Sequence, residues 1–332
     1  MHAVMGTLSQ LGEAGLIEKL QAMSIPGRGV LQGIGDDAAV YDLGDGRVLL
    51  VTVDTMVAGG HFLPDRMPMH LVGRKAMMSS ASDIVAMNGL PRCAVVALNA
   101  PGSIPVSDIT ALYEGLQEAA QELDLTLVGG DTTRSPVLTV SVTVIGGAGR
   151  EDVVLRSGAR PGDVLCVTGT LGASQAGLQW MLSGRMEENP ACAAALQAHW
   201  NPTARLDVIH DWHARAIRPH ALTDISDGLA AEIHHLCEAS CCGVLVDVQA
   251  LPVPDNALVV AELLGEDATD YALYWGEDYE LVFALPESDL ARLNPTTFTV
   301  IGHFTCRTES IRMRDLDGSI RPLERKGWEH YR

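Results

Sequence analysis

Carboxylates set beside or inside apolar segments restrict this chain more than any other feature. A buried carboxylate is too costly to leave unpaired, and five regions of the sequence place aspartates in such surroundings. Asp36 and Asp37 lie in Gly33-Ile34-Gly35-Asp36-Asp37-Ala38-Ala39-Val40. Asp54 directly follows the apolar run 48–53, and Asp83 interrupts an apolar helix within Ser82-Asp83-Ile84-Val85-Ala86-Met87. Asp131 follows Val128-Gly129-Gly130, where paired glycines let a ligand approach the backbone closely. Asp224 and Asp227 stand three apart in Thr223-Asp224-Ile225-Ser226-Asp227-Gly228-Leu229, at a strand end running into a helix. A cap or a turn explains any one of them; Asp227 before Gly228 reads as an N-cap. The shared context argues for more. Lys and Arg are few near these acids, and carboxylate oxygens select hard cations, Mg²⁺ with a phosphate-bearing partner being the usual combination. The joint pattern favours a multi-metal site.

The segments between the acids read as α/β. Residues 48–53 and 94–98 are buried strands, 126–128 a short one, and 137–145 alternate strictly as a half-buried strand. Ser107 caps a helix through Leu123, with Ile109, Leu112, Tyr113, Leu116 and Ala120 on one face. A helix over 70–88 is apolar almost all round and therefore buried. The break Gly146-Gly147-Ala148-Gly149 and the turn Arg160-Pro161-Gly162-Asp163 flank a boundary. Beyond it come a strand at 164–168, helices at 172–183, 202–215 and 228–240, and strands at 243–248, 280–285 and 298–302. The length of 332 residues suits two domains, here 1–148 and 149–332.

Composition narrows the partners. The net charge of −19 repels DNA, RNA and anionic lipid, yet permits an anionic substrate if metal ions mediate. Seven cysteines without a C-x-x-C pair argue against a disulfide framework and for the reducing cytoplasm. The N-terminal residues show no secretory leader pattern, and no run of 18 apolar residues predicts a membrane span. His234, Cys237 and Cys241 share a helix face, either as a partial zinc site or as a buried face of small thiols; no fourth ligand is nearby.

Nucleotide-binding loops of the common kinds are missing. There is no G-x-x-x-x-G-K-[ST], no G-x-G-x-x-G after a strand, no protein-kinase H-R-D and D-F-G pair, and no G-x-S-x-G elbow. A bound nucleotide would be held largely through Mg²⁺ on carboxylates.

The motifs GIGDDAAV (33–40), VDTMVAGGHF (53–62), SDIVAM (82–87), GGDTTR (129–134), RSGARPGD (156–163), GTLGASQAGL (169–178), DISDGL (224–229), GEDYEL (276–281) and GWEHY (327–331) occur in order along nearly the whole chain. In them the sequence resembles the thiamine-monophosphate kinase family, of the superfamily that includes aminoimidazole-ribonucleotide synthetase and selenophosphate synthetase. The resemblance implies a two-domain, PurM-like α/β fold. The N-terminal ATP- and Mg²⁺-binding sheet pairs with that of a partner subunit into a β-barrel in a homodimer, and the C-terminal domain is an α/β sandwich. It implies ATP-dependent phosphorylation of thiamine monophosphate to thiamine diphosphate, the last step of that cofactor's biosynthesis. Carried over by position, Asp37, Thr52, Val53, Asp54, Asp83, Asp131, Asp224 and Asp227 are the implied metal ligands. Tyr113, Gly130, Asp131, Arg156 and Ser226 are implied ATP contacts, and His61, Glu277 and Trp328 substrate contacts. Asp131, Arg156 and Asp224 are the implied catalytic residues.

The chemistry fits those residues. A phosphate monoester with a second pKa near ~6 is already ionised at neutral pH, so it needs no strong general base. The obstacle is bringing two polyanions together, which Mg²⁺ and a cation such as Arg156 relieve. A tryptophan face suits the thiazolium ring at the other end of the acceptor. The sequence departs from the family at three places: Trp275-Gly276 stands where a glycine pair is usual, Val53 replaces a common hydroxyl residue, and Ser80 a frequent Asn. Val53 therefore offers a metal only its carbonyl. A selenophosphate synthetase would carry a reactive Cys near a glycine-rich N-terminus, whereas the first Cys here is Cys93. An amidine-cyclising synthetase would lack GEDYEL and GWEHY. A metal-regulated binding protein would explain the acids but not the paired glycines beside them.

Overall fold

The computed structural model describes residues 6–25, 27–186 and 188–331; residues 1–5, part of the N-terminal leader reading, lie outside them. In the first half, α1 (Leu8–Met23) precedes β1 (Val30–Gln32), β2 (Ala39–Asp42) and β3 (Arg47–Val57). Then follow α2 (Met69–Ala86), β4 (Leu90–Ala100), α3 (Val106–Glu122), β5 (Thr126–Arg134) and β6 (Thr139–Gly149). The six strands form one sheet in the order β1-β2-β3-β6-β4-β5, with only the β4–β5 pair parallel. The alternation expected over 137–145 is realised in β6, where Val140, Val142 and Val144 are buried and the intervening residues are half-buried. α2 lies against β3, β4 and β6, and α3 packs on α2. Every residue of α2 from Val72 to Ser82 is buried, as its all-round apolar character requires. Glycine makes the α2–α3 crossing close: a Cβ on Gly73 would sit 1.9 Å from the Leu112 carbonyl oxygen, and one on Gly115 would sit 1.8 Å from that of His70.

The second half builds its own sheet. β7 (Asp163–Thr168), α4 (Ala173–Ser183), α5 (Pro190–Trp200), α6 (Leu206–Arg215), β8 (Ala221–Asp224), α7 (Leu229–Ser240) and β9 (Gly243–Asp247) come first. α8 (Asp255–Leu264), α9 (Ala268–Tyr274), β10 (Leu281–Pro286), β11 (Phe298–Thr305), β12 (Ile311–Arg314) and β13 (Ile320–Pro322) complete it. The strand order is β13-β12-β9-β11-β7-β10-β8. β7, buried along its whole length, lies near the centre. α4, α5, α8 and α9 pack on one another in a cluster with its own apolar core. Among the described residues no helix is long and apolar enough to cross a membrane.

Several expected details change. Ser107 does not cap α3; Pro105, with φ −61°, is the N-cap residue, and the Ser107 hydroxyl turns to Asp108 at 3.4 Å. Strand β3 runs through Asp54 to Val57, and β5 runs through Asp131 to Arg134, so both aspartates lie within strands rather than after them. The helix expected over 202–215 starts only at Leu206: Asn201 before Pro202 is non-helical at φ −132° and ψ 61°, and Arg205, at φ −79° and ψ 47°, is the N-cap residue. α5 is a helix not among those expected; Asn189 caps it by accepting from the Ala191 amide at 2.9 Å, and Pro190 opens it. The zinc alternative for α7 falls away. His234 Nε2 lies 3.0 Å from the Leu323 carbonyl, Cys237 is buried, and Cys241 is the exposed, left-handed residue that ends the helix.

Candidate active site at the junction of the two sheets

The three aspartates Asp37, Asp83 and Asp224 converge where α2 meets β8, and one oxygen from each lies within 4.8 Å of the others. Each is fixed from a different part of the chain. Asp224 ends β8 and accepts a hydrogen bond from Ser82 Oγ of α2 at 2.5 Å. Asp37, ahead of β2, accepts from Thr223 Oγ1 at 3.0 Å, and Asp83 accepts from the Thr52 hydroxyl of β3. After these bonds, Asp37 Oδ2 and Asp224 Oδ1 remain buried without a hydrogen-bond partner. That is an arrangement a cation would complete.

The electrostatics agree. Burial, with neighbouring carboxylates second, pushes Asp83 and Asp224 well above the usual carboxylate range. Burial also raises Asp37, although Arg156 opposes it. Asp54 is raised to about 6 by burial, and Asp227 to about 7 by burial and then Glu232. Asp36, which accepts from the Arg156 amide at 3.2 Å, is raised to about 7 by burial and by Asp37. The scarcity of nearby Lys and Arg in the sequence implies cations from outside the chain, yet the fold brings one of its own to the acids. Arg156 donates to Asp37 Oδ1 through Nε at 3.1 Å and through NH2 at 2.5 Å. One guanidinium against this many acids still leaves the centre negative.

A cleft of about 620 Å³ opens beside the cluster. Val53, Asp54, His61, Asp83, Ser226, Asp227, Glu277 and Trp328 all line it, so eight of the residues singled out in the sequence share one cavity. His61 accepts from the Val57 amide through Nδ1 at 3.2 Å, and its ring centroid lies 5.1 Å from that of His330. The C-terminal segment folds back over the start of α7, with the Trp328 amide donating to the Asp227 carbonyl at 3.0 Å. Gly276 packs so tightly on the Ser226 carbonyl that a Cβ would sit 1.8 Å from its oxygen. Glu277 and Tyr279 then adopt left-handed φ values of 65° and 51°, which turns Glu277 into the cleft.

Three predicted residues lie elsewhere. Gly130 and Asp131 sit on β5, an edge strand, where Asp131 is exposed and accepts from Thr133 Oγ1 at 3.3 Å. Tyr113 lies half-buried in a shallow groove along α3 with Ile109 and Gln117. Conversely, Lys75, Gln175 and His199 belong to the site's surroundings and were not picked out. Lys75 Nζ lies 2.9 Å from Glu277 Oε1, and His199 Nδ1 lies 3.4 Å from Glu277 Oε2. Lys75 carried the same signal as Asp83, a charge within an apolar helix.

Comparison with known proteins places this arrangement. Family models for AIR synthase related proteins match residues 35–148 with the N-terminal domain and 160–312 with the C-terminal domain. Thiamine-monophosphate kinase of Aquifex aeolicus is 35% identical over 331 residues, covering 98% of this chain and 99% of its own. That of Bacillus subtilis is 33% identical, covering 97% and 100%. A solved structure of AaThiL complexed with AMPPCP and TMP superposes with a TM-score of 0.88 at 34% identity, covering 99% of this chain and 100% of that one. The fold and site thus define a member of the AIR synthase related class. Within that class, the chain belongs to the thiamine-monophosphate kinase family.

Proposed function

We propose that this protein transfers the γ-phosphoryl group of ATP to thiamine monophosphate, giving thiamine diphosphate and ADP. The observation that carries the reading is the convergence of Asp37, Asp83 and Asp224, with two unpartnered buried oxygens, on a cleft roomy enough for an organic phosphate. Full-length similarity to thiamine-monophosphate kinases, and the relative complexed with AMPPCP and TMP, support it.

The donor set suits Mg²⁺: hard oxygens, and orphaned carboxylate lone pairs in a negative pocket. Asp37, Asp83 and Asp224 would hold the ion at the junction, with Thr52, the Val53 carbonyl, Asp54 and Asp227 alongside. When bound, Mg²⁺ would neutralise the repulsion between the nucleotide's polyphosphate and the acceptor's phosphate monoester. The protein's own groups do the rest. Ser82, Thr52 and Thr223 hold the three carboxylates in place. Arg156, which donates to Asp37 Oδ1, would be the protein's own cation for the transferring phosphoryl group if a metal ion held that carboxylate. Ser226 contacts the nucleotide beside it, His61 and Glu277 orient the acceptor, and Trp328 covers its cationic ring.

Gly130, Asp131 and Tyr113 complete the nucleotide side, with Asp131 a further Mg²⁺ ligand, in an assembly of two chains. β5 is an edge strand with Val128 60% exposed, which favours pairing with a second copy's sheet into a barrel and a homodimer. The domains divide at 148/149, and the compartment is the cytoplasm. ADP release from Mg²⁺, ATP and thiamine monophosphate tests the reaction; no ADP above background would sink it. Light scattering tests the dimer, which a monomer at micromolar concentration would refute.

A further inference from the structure

The carboxylate cluster accounts for the phosphates, but not for a second set of buried polar groups on the α4 side of the same cleft. Gln175, on α4, is 4% exposed and lines the cleft, and its Nε2 has no hydrogen-bond partner. A buried amide left unpaired is destabilising, so a ligand atom is the natural complement. Glu277 lines the same cleft, and its carboxylate is held between the Lys75 ammonium at 2.9 Å and His199 at 3.4 Å. Lys75 is 1% exposed and His199 3%. Against the cost of burial, Lys75 and then His199 keep Glu277 below the usual carboxylate range. Burial and Lys75 lower His199 to about 3, so it stays neutral. The result is one ionised acceptor and one free donor lining the same cleft. Leu178, Met181 and Leu182 supply apolar surface next to them.

A flat heterocycle with an exocyclic amine next to an unprotonated ring nitrogen matches that pair. We propose that the α4 side of the cleft reads the aminopyrimidine of the acceptor, the Glu277 carboxylate accepting from the exocyclic amine and the Gln175 amide donating to the adjacent ring nitrogen. Lys75 and His199 are positioning residues that act through Glu277. This inference rests on thiamine monophosphate being the acceptor and adds what selects it.

The test compares thiamine monophosphate with oxythiamine monophosphate, in which oxygen replaces the exocyclic amine and the neighbouring ring nitrogen carries hydrogen. Such an analogue turns an acceptor toward the Glu277 carboxylate. The wild-type protein should prefer thiamine monophosphate by at least about 100-fold in kcat/KM. Glu277→Gln, whose amide can donate to the analogue's oxygen, should bring the ratio within about tenfold. Gln175→Ala should raise KM for thiamine monophosphate by about tenfold, leaving kcat and KM for ATP within about twofold. Gln175→Met, closer in volume, serves if the alanine variant does not fold. An unchanged substrate ratio in Glu277→Gln, or an unchanged acceptor KM in both Gln175 variants, would overturn the proposal while leaving the kinase reading intact. Absence of turnover in the wild type would remove both.

Discussion

Replacing Asp224 by asparagine should stabilise the metal-free protein while abolishing its response to Mg²⁺. Asp224 is 1% exposed, and its Oδ1 has no hydrogen-bond partner. An oxygen of Asp224 lies within 4.8 Å of oxygens of both Asp37 and Asp83. At an effective dielectric constant of about 20, two unit charges at that 4.8 Å separation repel by about 3.5 kcal/mol. Protonation limits how much of this is realised, and Arg156 offsets part of it through Asp37. Weakening the bond from Ser82, now to a neutral oxygen, costs about 1 kcal/mol. The net expectation at pH 8 without metal is a gain of about 1–2 kcal/mol, or about 1.5–3 °C in Tm for a chain this long. Differential scanning fluorimetry in EDTA and in Mg²⁺, with ADP release alongside, measures it. The Mg²⁺-induced rise in Tm should vanish and turnover should fall by at least about 100-fold. A variant destabilised by more than about 1 kcal/mol in EDTA, or one retaining the wild-type Mg²⁺ shift, would refute the reasoning.

Other outcomes follow from the same site. Lys75→Met should destabilise the protein by about 3–5 kcal/mol by stranding Glu277, and Lys75→Met with Glu277→Gln should recover most of that loss in urea melts; equal losses in both would contradict a direct pair. Burial holds Asp54 at about 6 and Asp227 at about 7, above an ordinary 3.8, so the folded protein binds protons that the unfolded chain has released. Metal-free stability should therefore fall as pH rises from about 4 to about 7, and the Mg²⁺-induced Tm shift should grow over the same range. A Mg²⁺ shift that does not change with pH would count against it. Trp328→Ala should raise KM for the acceptor more than for ATP, by a factor of about 3–30 if the ring loses a desolvated cation–π contact; the reverse ranking would argue against stacking.

Much of this was legible where local rules decide. The alternation of β6 and the apolar wrap of α2 are properties of short segments, and solvent exposure follows directly from them. The aspartates stood out because charge in apolar context is itself local. A carboxylate after an apolar run suggests a strand end at Asp54 and Asp131, whereas backbone pairing continues through them to Thr139 and Ala100 respectively. Pairings that close over long separations were invisible: Arg156 with Asp37, Ser82 with Asp224, Lys75 with Glu277. So were the left-handed conformations of Glu277 and Tyr279, since nothing in a non-glycine residue announces a positive φ. Lys75 and His199 beside Glu277, and Gln175 in the cleft wall, come from that same long-range assembly.

The central claim is that a carboxylate-held divalent cation couples ATP to a phosphate acceptor in this cleft. Steady-state ADP release, measured with ATP and thiamine monophosphate while Mg²⁺ is titrated from EDTA to millimolar excess, tests it most directly. Turnover should require both the acceptor and Mg²⁺, with thiamine diphosphate formed one for one with ADP. ADP released at the same rate without thiamine monophosphate, or undiminished in EDTA, would contradict it.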